Sequence, residues 1–159
     1  MSLESFFQWC YQSPALGVIR DSTYAIPIIQ SFHLVGLTIL LGTTVMLNLR
    51  LLGLGMRQLP LSEVARQVWP WTFGALLLNI LSGVLVFLPD PTRYANSGPF
   101  QLKMALLLMA ILYHFTIFRK VTRAEPPTVG PLRNAVVAFF SLTLWFSVGW
   151  AGRAIAFFK

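Results

Sequence analysis

The chain has two histidines, His33 and His114, and each lies in a long apolar stretch. Residues 22–49 surround His33 without a formal charge, and the run KMALLLMAILY leads to His114. An imidazole at membrane depth costs free energy unless it is paired or coordinated, so it indicates a functional site. Neutral imidazoles on facing helices can serve as axial ligands of haem iron. We therefore predict haem b as cofactor, with His33 and His114 as the metal ligands.

Two cations are predicted to complete this cofactor site. Lys103 lies eleven residues before His114, and this spacing puts both side chains on one helix face. Lys103 and Arg153 fall near one end of their helices, where a cation can neutralise the carboxylate of a haem propionate. The alternative is that both side chains simply extend to the membrane interface.

Small and polar residues on the first two helices are also assigned to the site. Gly36 allows another helix or a flat ligand to approach closely. Asn79 shares a helix face with Ser82, and this face is expected to point into the bundle, because lipid would leave the amide unsatisfied.

The depths of the two histidines differ. At 1.5 Å per residue, His33 lies ~10 Å inward from Ile26, whereas His114 lies ~21 Å inward from Phe100. Two ligands of one iron must lie at nearly the same depth. Helix tilt can absorb part of the difference; otherwise each histidine binds something different, or His114 is a buried residue bonded to a nearby hydroxyl or amide.

The composition excludes several classes of protein. Of 159 residues, 56% are hydrophobic and only 11% are charged, which is typical of an integral membrane protein. The net charge of +7 comes from cations at helix ends, so we interpret it as a topology signal and not as nucleic-acid binding. A single cysteine, Cys10, excludes an intramolecular disulfide, and the chain has no C-x-x-C-H motif for a covalent haem.

The elements that must position these residues are four apolar helices. We predict an all-α membrane protein with four transmembrane helices in an up-down bundle and a short N-terminal interfacial helix, within a single transmembrane domain, 1–159. The interfacial helix covers 2–12, and the spans cover about 23–55, 64–88, 100–121 and 132–157. No cleavable signal peptide is expected. Two loops carry seven of the twelve cations, which predicts a bacterial inner membrane protein with these loops cytoplasmic and both termini periplasmic.

Residues 19–60 resemble an uncharacterised family of small four-helix bacterial membrane proteins. The matching positions are Ser22, Pro27, His33, Gly36, Leu37 and the run LRLLG at 49–53, and the similarity extends through PWT at 70–72 to AGRAI at 151–155. More distantly, His33 together with the run 103–114 resembles the haem-associated bundles of the CopD and HemJ type. This resemblance implies a b haem and redox chemistry that involve His33, Lys103 and His114.

The chain has little mass outside the membrane for a catalytic domain. We therefore expect an electron-transfer subunit that connects a membrane quinol with a periplasmic partner, or a redox membrane anchor; whether it is an enzyme stays open. The alternatives are a HemJ-like porphyrinogen oxidase and a cofactor-free assembly or transport protein in which Asn79 or Ser82 satisfies His33. The candidate partners are the lipid bilayer, a quinone, a periplasmic redox protein and further copies of the chain, with no nucleic acid.

Overall fold

The computed structural model describes residues 3–56, 58–123 and 130–155, and these residues are helical apart from short turns. Two short helices come first, α1 (Leu3–Gln12) and α2 (Pro14–Asp21). The long helices α3 (Ala25–Leu51) and α4 (Leu61–Phe87) follow, and then the short α5 (Pro91–Ala95). Helix α6 (Gly98–Tyr113) continues through a π-helical turn (His114–Phe118) into α7 (Arg119–Arg123), and α8 (Pro131–Ala154) completes the described chain.

Four helical segments are long and apolar enough to cross a membrane: α3, α4, the continuous segment Gly98–Arg123, and α8. With 24 to 27 residues each, they are ~36–40 Å long and exceed the ~30 Å hydrocarbon core of a bilayer. The prediction of an all-α protein with four spans is confirmed. The chain is a multi-pass membrane protein.

Successive spans run in opposite directions, so the bundle has two ends. We call the end that carries α1, α2 and α5 the α1 end, and the opposite end the α7 end. Helix α3 packs along α4, and α8 packs against both α3 and α6, while α7 contacts α4. Trp145 of α8 is 2% exposed within the central core, together with Leu40 of α3 and Leu76 of α4.

The helix ends follow from local backbone chemistry. Proline occupies the first turn of α2, α5, α6 and α8, where its missing N–H costs nothing. Helix α3 ends at Leu51, four residues before the predicted end of the first span at residue 55. Gly53 just beyond it has a φ of 73°, a left-handed conformation that glycine adopts without strain and that stops the helix.

At the α1 end, aromatic side chains connect the short helices to the spans. The ring of Phe7 lies 6.2 Å from that of Phe87, which in turn stacks at 5.4 Å on Phe100. The first short helix ends at Gln12, the predicted end of the interfacial helix, and a second short helix starts at Pro14. Arg20 of α2 returns to α1 and places its guanidinium 4.2 Å from the ring centre of Tyr11.

Candidate functional site

His33 lies on the face of α3 that contacts α4, eight residues from the start of its helix at the α1 end. Its Nδ1 atom lies 2.8 Å from the hydroxyl oxygen of Ser82 on α4. The imidazole is half-buried, whereas its neighbours Phe32 and Leu34 are exposed on the outer surface of the bundle. The helix face of His33 therefore points toward the partner helix, as its polarity requires.

The same serine favours the tautomer of His33 that carries its proton on Nδ1. The Ser82 hydroxyl donates to the carbonyl of Leu78 at 2.6 Å, so its oxygen is left to accept a hydrogen bond from the His33 Nδ1–H. In this tautomer the lone pair lies on Nε2. Metal-ligating histidines commonly have this arrangement, with one nitrogen fixed by a hydrogen bond and the other available to a ligand.

One turn further along, Gly36 allows α3 and α4 to approach closely. A Cβ atom on Gly36 would lie 2.7 Å from Nδ2 of Asn79 and 3.3 Å from the carbonyl oxygen of Ala75. Asn79 donates its amide to that same carbonyl at 2.9 Å. Gly83 provides a second close contact, because a Cβ there would lie 3.6 Å from Cε1 of His33. The predicted small and polar face of α4 thus packs against the His33 face of α3.

Lys103 brings the other two spans to this region. It lies on α6, within electrostatic range of His33. Its side chain packs against Gly152 of α8, where an added Cβ atom would lie 3.4 Å from Nζ of Lys103. Among the described residues its ammonium forms neither a hydrogen bond nor an ion pair. Arg153, the next residue of α8, is exposed. We call the cluster of His33, Ser82, Asn79 and Lys103, with the surrounding glycines, the His33 site.

His114 belongs to a different place. It is 3% exposed and lies at the α7 end, stacked at 6.2 Å on Trp69 of α4 and at 5.2 Å on Phe118. Its Nδ1 atom is buried without a hydrogen-bond partner. Arg119 and Arg123 place their guanidinium carbons 4.3 and 5.4 Å from the Trp69 ring centre. We call this cluster the His114 pocket.

The two histidines are too far apart to ligate the same iron. Their contacts on α4, Ser82 and Trp69, are thirteen residues apart, which corresponds to ~20 Å along a helix. The difference in depth inferred from the sequence is therefore present in the fold, and tilt does not remove it. Five of the six predicted cofactor residues lie at the α1 end of the bundle, and His114 does not.

The described residues contain no cluster of three His, Cys, Asp or Glu side chains that would bind a bare metal ion. The imidazole of His33 and the ammonium of Lys103 suit a ligand that carries both a metal and a carboxylate. An apolar crevice of about 200 Å³ lies between α6 and α8 at the same end, with Leu102 and Ala151 in its lining, each adjacent in sequence to Lys103 or Gly152. Neither His33 nor Lys103 lines this crevice, and its volume is below the ~300–1,000 Å³ of typical ligand pockets.

Several contacts were not predicted from the sequence. The Lys103–Gly152 contact depends on the rotation of α8, which helical periodicity alone does not give. The cluster of Trp69, Arg119 and Arg123 joins residues fifty or more positions apart in the sequence, so only the spacing of the two arginines could be read from it. Asn48 is completely buried and donates to Ser141 of α8 at 3.1 Å.

The comparisons with known proteins identify a family without an assigned activity. Residues 6–158 match the model of a family of unknown function, DUF6644, and the chain belongs to this family. No curated protein and no solved structure matches the chain.

Proposed function

We propose that the chain binds one b-type haem at the His33 site and acts as a redox subunit of a bacterial inner membrane, passing electrons between a membrane quinol and a periplasmic partner. The observation that carries the proposal is the hydrogen bond between His33 and Ser82, which leaves the Nε2 lone pair of His33 free for a metal. Bound there, a haem would supply one-electron transfer.

Each residue of the His33 site has a definite task in this proposal. Ser82 holds the imidazole ring in the ligating tautomer and restricts its rotation. Lys103 provides the positive charge for a propionate, in a half-buried position where such a pair is worth more than in water. Gly36, Gly83 and Gly152 keep the region free of side-chain bulk.

His114 is not a ligand of this haem in our proposal, because of the ~20 Å separation along α4. The described residues provide no second imidazole at the α1 end. Any further ligand to the iron would come from another molecule, such as a periplasmic redox partner or a second copy of this chain.

A cofactor-free function is the second candidate, and one observation favours it. The His33–Ser82 hydrogen bond already satisfies one nitrogen of the imidazole, and it connects α3 to α4 without any ligand. In that case the histidine stabilises the helix pair, and the chain serves as an assembly or transport protein of the membrane.

Absorption spectra of the purified protein separate the two candidates. After haem-replete expression we expect a b-type reduced-minus-oxidised spectrum and about one haem per chain in the pyridine haemochrome assay. His33→Ala should lose the Soret band, whereas His114→Phe, the matched histidine variant, should keep it. Lys103→Gln should reduce haem retention, whereas Lys120→Gln, an exposed lysine near the other end of the same span, should not.

Two outcomes would overturn the haem proposal. Wild-type protein without haem would favour the cofactor-free candidate, and a Soret band that survives in His33→Ala would move the haem away from His33. Oxidation of a porphyrinogen by the haem-free protein would instead support the HemJ-like enzyme, with Lys103 and Arg153 as the carboxylate-binding cations.

A further inference from the structure

The His114 pocket contains a polar atom without a partner. His114 is almost completely buried, yet its Nδ1 atom makes no hydrogen bond. Leaving a buried donor or acceptor unpaired costs roughly 1–3 kcal/mol, so such groups are nearly always satisfied by a neighbour, a water or a ligand. We therefore expect the missing hydrogen-bond partner of Nδ1 to bind in the pocket beside the His114 ring.

Two guanidinium groups lie at this pocket. Arg119 and Arg123, four residues apart on α7, both lie over the ring of Trp69, which holds them by cation–π contacts. Within the described parts of the chain neither arginine pairs with a carboxylate. Two adjacent positive charges can bind an anion.

The π-helical turn explains why His114 and Arg119 meet. Residues five apart on an α-helix point about 140° away from each other. In this turn the backbone N–H of Arg119 bonds to the carbonyl of His114, the i→i+5 pattern of a π-helix, which brings the two side chains toward one face. Turns of this kind occur frequently at functional sites.

The size and position of the cavity limit what binds. Its volume is about 10 Å³, and its polar lining is His114, Arg119, Thr122 and Arg123. Such a volume holds about one water-sized atom, so only a single oxygen of a ligand enters while the rest stays outside near the arginines. The pocket lies at the end of the bundle, where phospholipid headgroups reach a membrane protein.

We propose that the His114 pocket binds a phosphate-type anion, with one oxygen in the cavity at His114 and the others on Arg119 and Arg123. The headgroup of an anionic phospholipid in the leaflet at the α7 end is one source of this phosphate, and free inorganic phosphate is the other. The proposal concerns the opposite end of the bundle from the His33 site and does not depend on haem.

Thermal unfolding of the detergent-solubilised full chain tests this site. A ligand that binds only the folded state raises Tm, and at about 100-fold excess over Kd we expect a rise of about 5 °C with phosphatidylglycerol. Phosphatidylcholine should give no rise, because its phosphate is neutralised within the headgroup. A rise with sodium phosphate but not with equal ionic strength of sodium chloride would identify free phosphate as the source.

Variants show whether the response comes from this pocket. Arg119→Gln combined with Arg123→Gln should abolish it, whereas Arg133→Gln, an exposed arginine at the same end, should keep it. His114→Phe fills the space with an apolar ring, so it should fold with an unchanged or higher Tm without lipid and still lose at least half of the response.

Three results would overturn the proposal. The first is an equal rise of Tm with phosphatidylglycerol and phosphatidylcholine. The second is a loss of the Tm response in Arg133→Gln as large as that in the double variant of Arg119 and Arg123. The third is a full Tm response in His114→Phe. The last result would mean that lipid binds to the arginines through surface charge alone and that His114 is a packing residue.

Discussion

At the scale of single residues, the glycines of α3 show where the helix packs closely against its neighbour. Gly36 and Gly42 lie six residues apart on α3, and Gly36 was expected to allow close packing. Only Gly36 faces a neighbour within the chain, with Asn79 and Ala75 against it, whereas a Cβ on Gly42 would meet nothing within 4 Å. The requirement for glycine at position 36 comes from the contact with α4 and not from backbone conformation.

Replacing Gly36 by valine should therefore separate α3 from α4. The new side chain would displace the Asn79 amide from the Ala75 carbonyl, and such overpacking costs about 2 kcal/mol. Gly42→Val, the matched substitution on the same helix, should change stability by about 0.5 kcal/mol or less. Equilibrium unfolding in detergent measures both values. Equal destabilisation by the two substitutions would show that the Gly36 contact is unimportant.

At the scale of helices, a few polar bonds fix how the spans face one another. His33–Ser82 connects α3 to α4, Asn48–Ser141 connects α3 to α8, and the Tyr113 hydroxyl donates to the Val137 carbonyl of α8 at 3.0 Å. Apolar packing tolerates small rotations of a helix, but a hydrogen bond at a fixed position does not. These contacts therefore contribute more to register than to total stability.

Ser141→Ala tests the bond between α3 and α8. The change removes one acceptor from the fully buried Asn48 amide, which keeps its bond to the Thr44 carbonyl at 2.7 Å. Interhelical hydrogen bonds in membranes are worth about 0.6 kcal/mol on average, with ~1.7 as an upper value, so we expect a loss in this range. A double-mutant cycle with Asn48→Ala isolates the pairwise energy, and a coupling near zero would contradict the assignment.

The sequence predicted the helices better than their register. Charge-free runs and small residues are local features, so four spans and the inward face of Asn79 and Ser82 could be read directly. The relative shift and rotation of the helices depend on the sum of many weak contacts, which is why the positions of Asn48 and of Gly152 beside Lys103 were not predicted. The π-helical turn at His114 changes the helical period, and no residue pattern in the sequence indicated it.

At the scale of the whole molecule, the distribution of charge gives the bundle a direction. Among the described residues, the cations at the α7 end are Arg50, Arg66, Arg119, Lys120, Arg123 and Arg133, against Arg20, Arg93, Lys103 and Arg153 at the other end. Short loops rich in Lys and Arg stay in the cytoplasm. This orientation would put the His33 site near the periplasm and the His114 pocket near the cytoplasmic leaflet, where anionic lipid contributes a negative surface potential.

Thiol accessibility in intact cells checks this orientation. In a Cys10→Ala background, which removes the only cysteine, a membrane-impermeant maleimide should label Asn96→Cys at the α1 end. Gln58→Cys at the α7 end should react only after the membrane is opened; both positions are exposed in the fold, so unequal burial does not explain the difference. The reverse labelling pattern would show the opposite orientation, with the His33 site on the cytoplasmic side. A periplasmic protein could then not be its electron-transfer partner, and the phosphate proposal would concern the opposite leaflet.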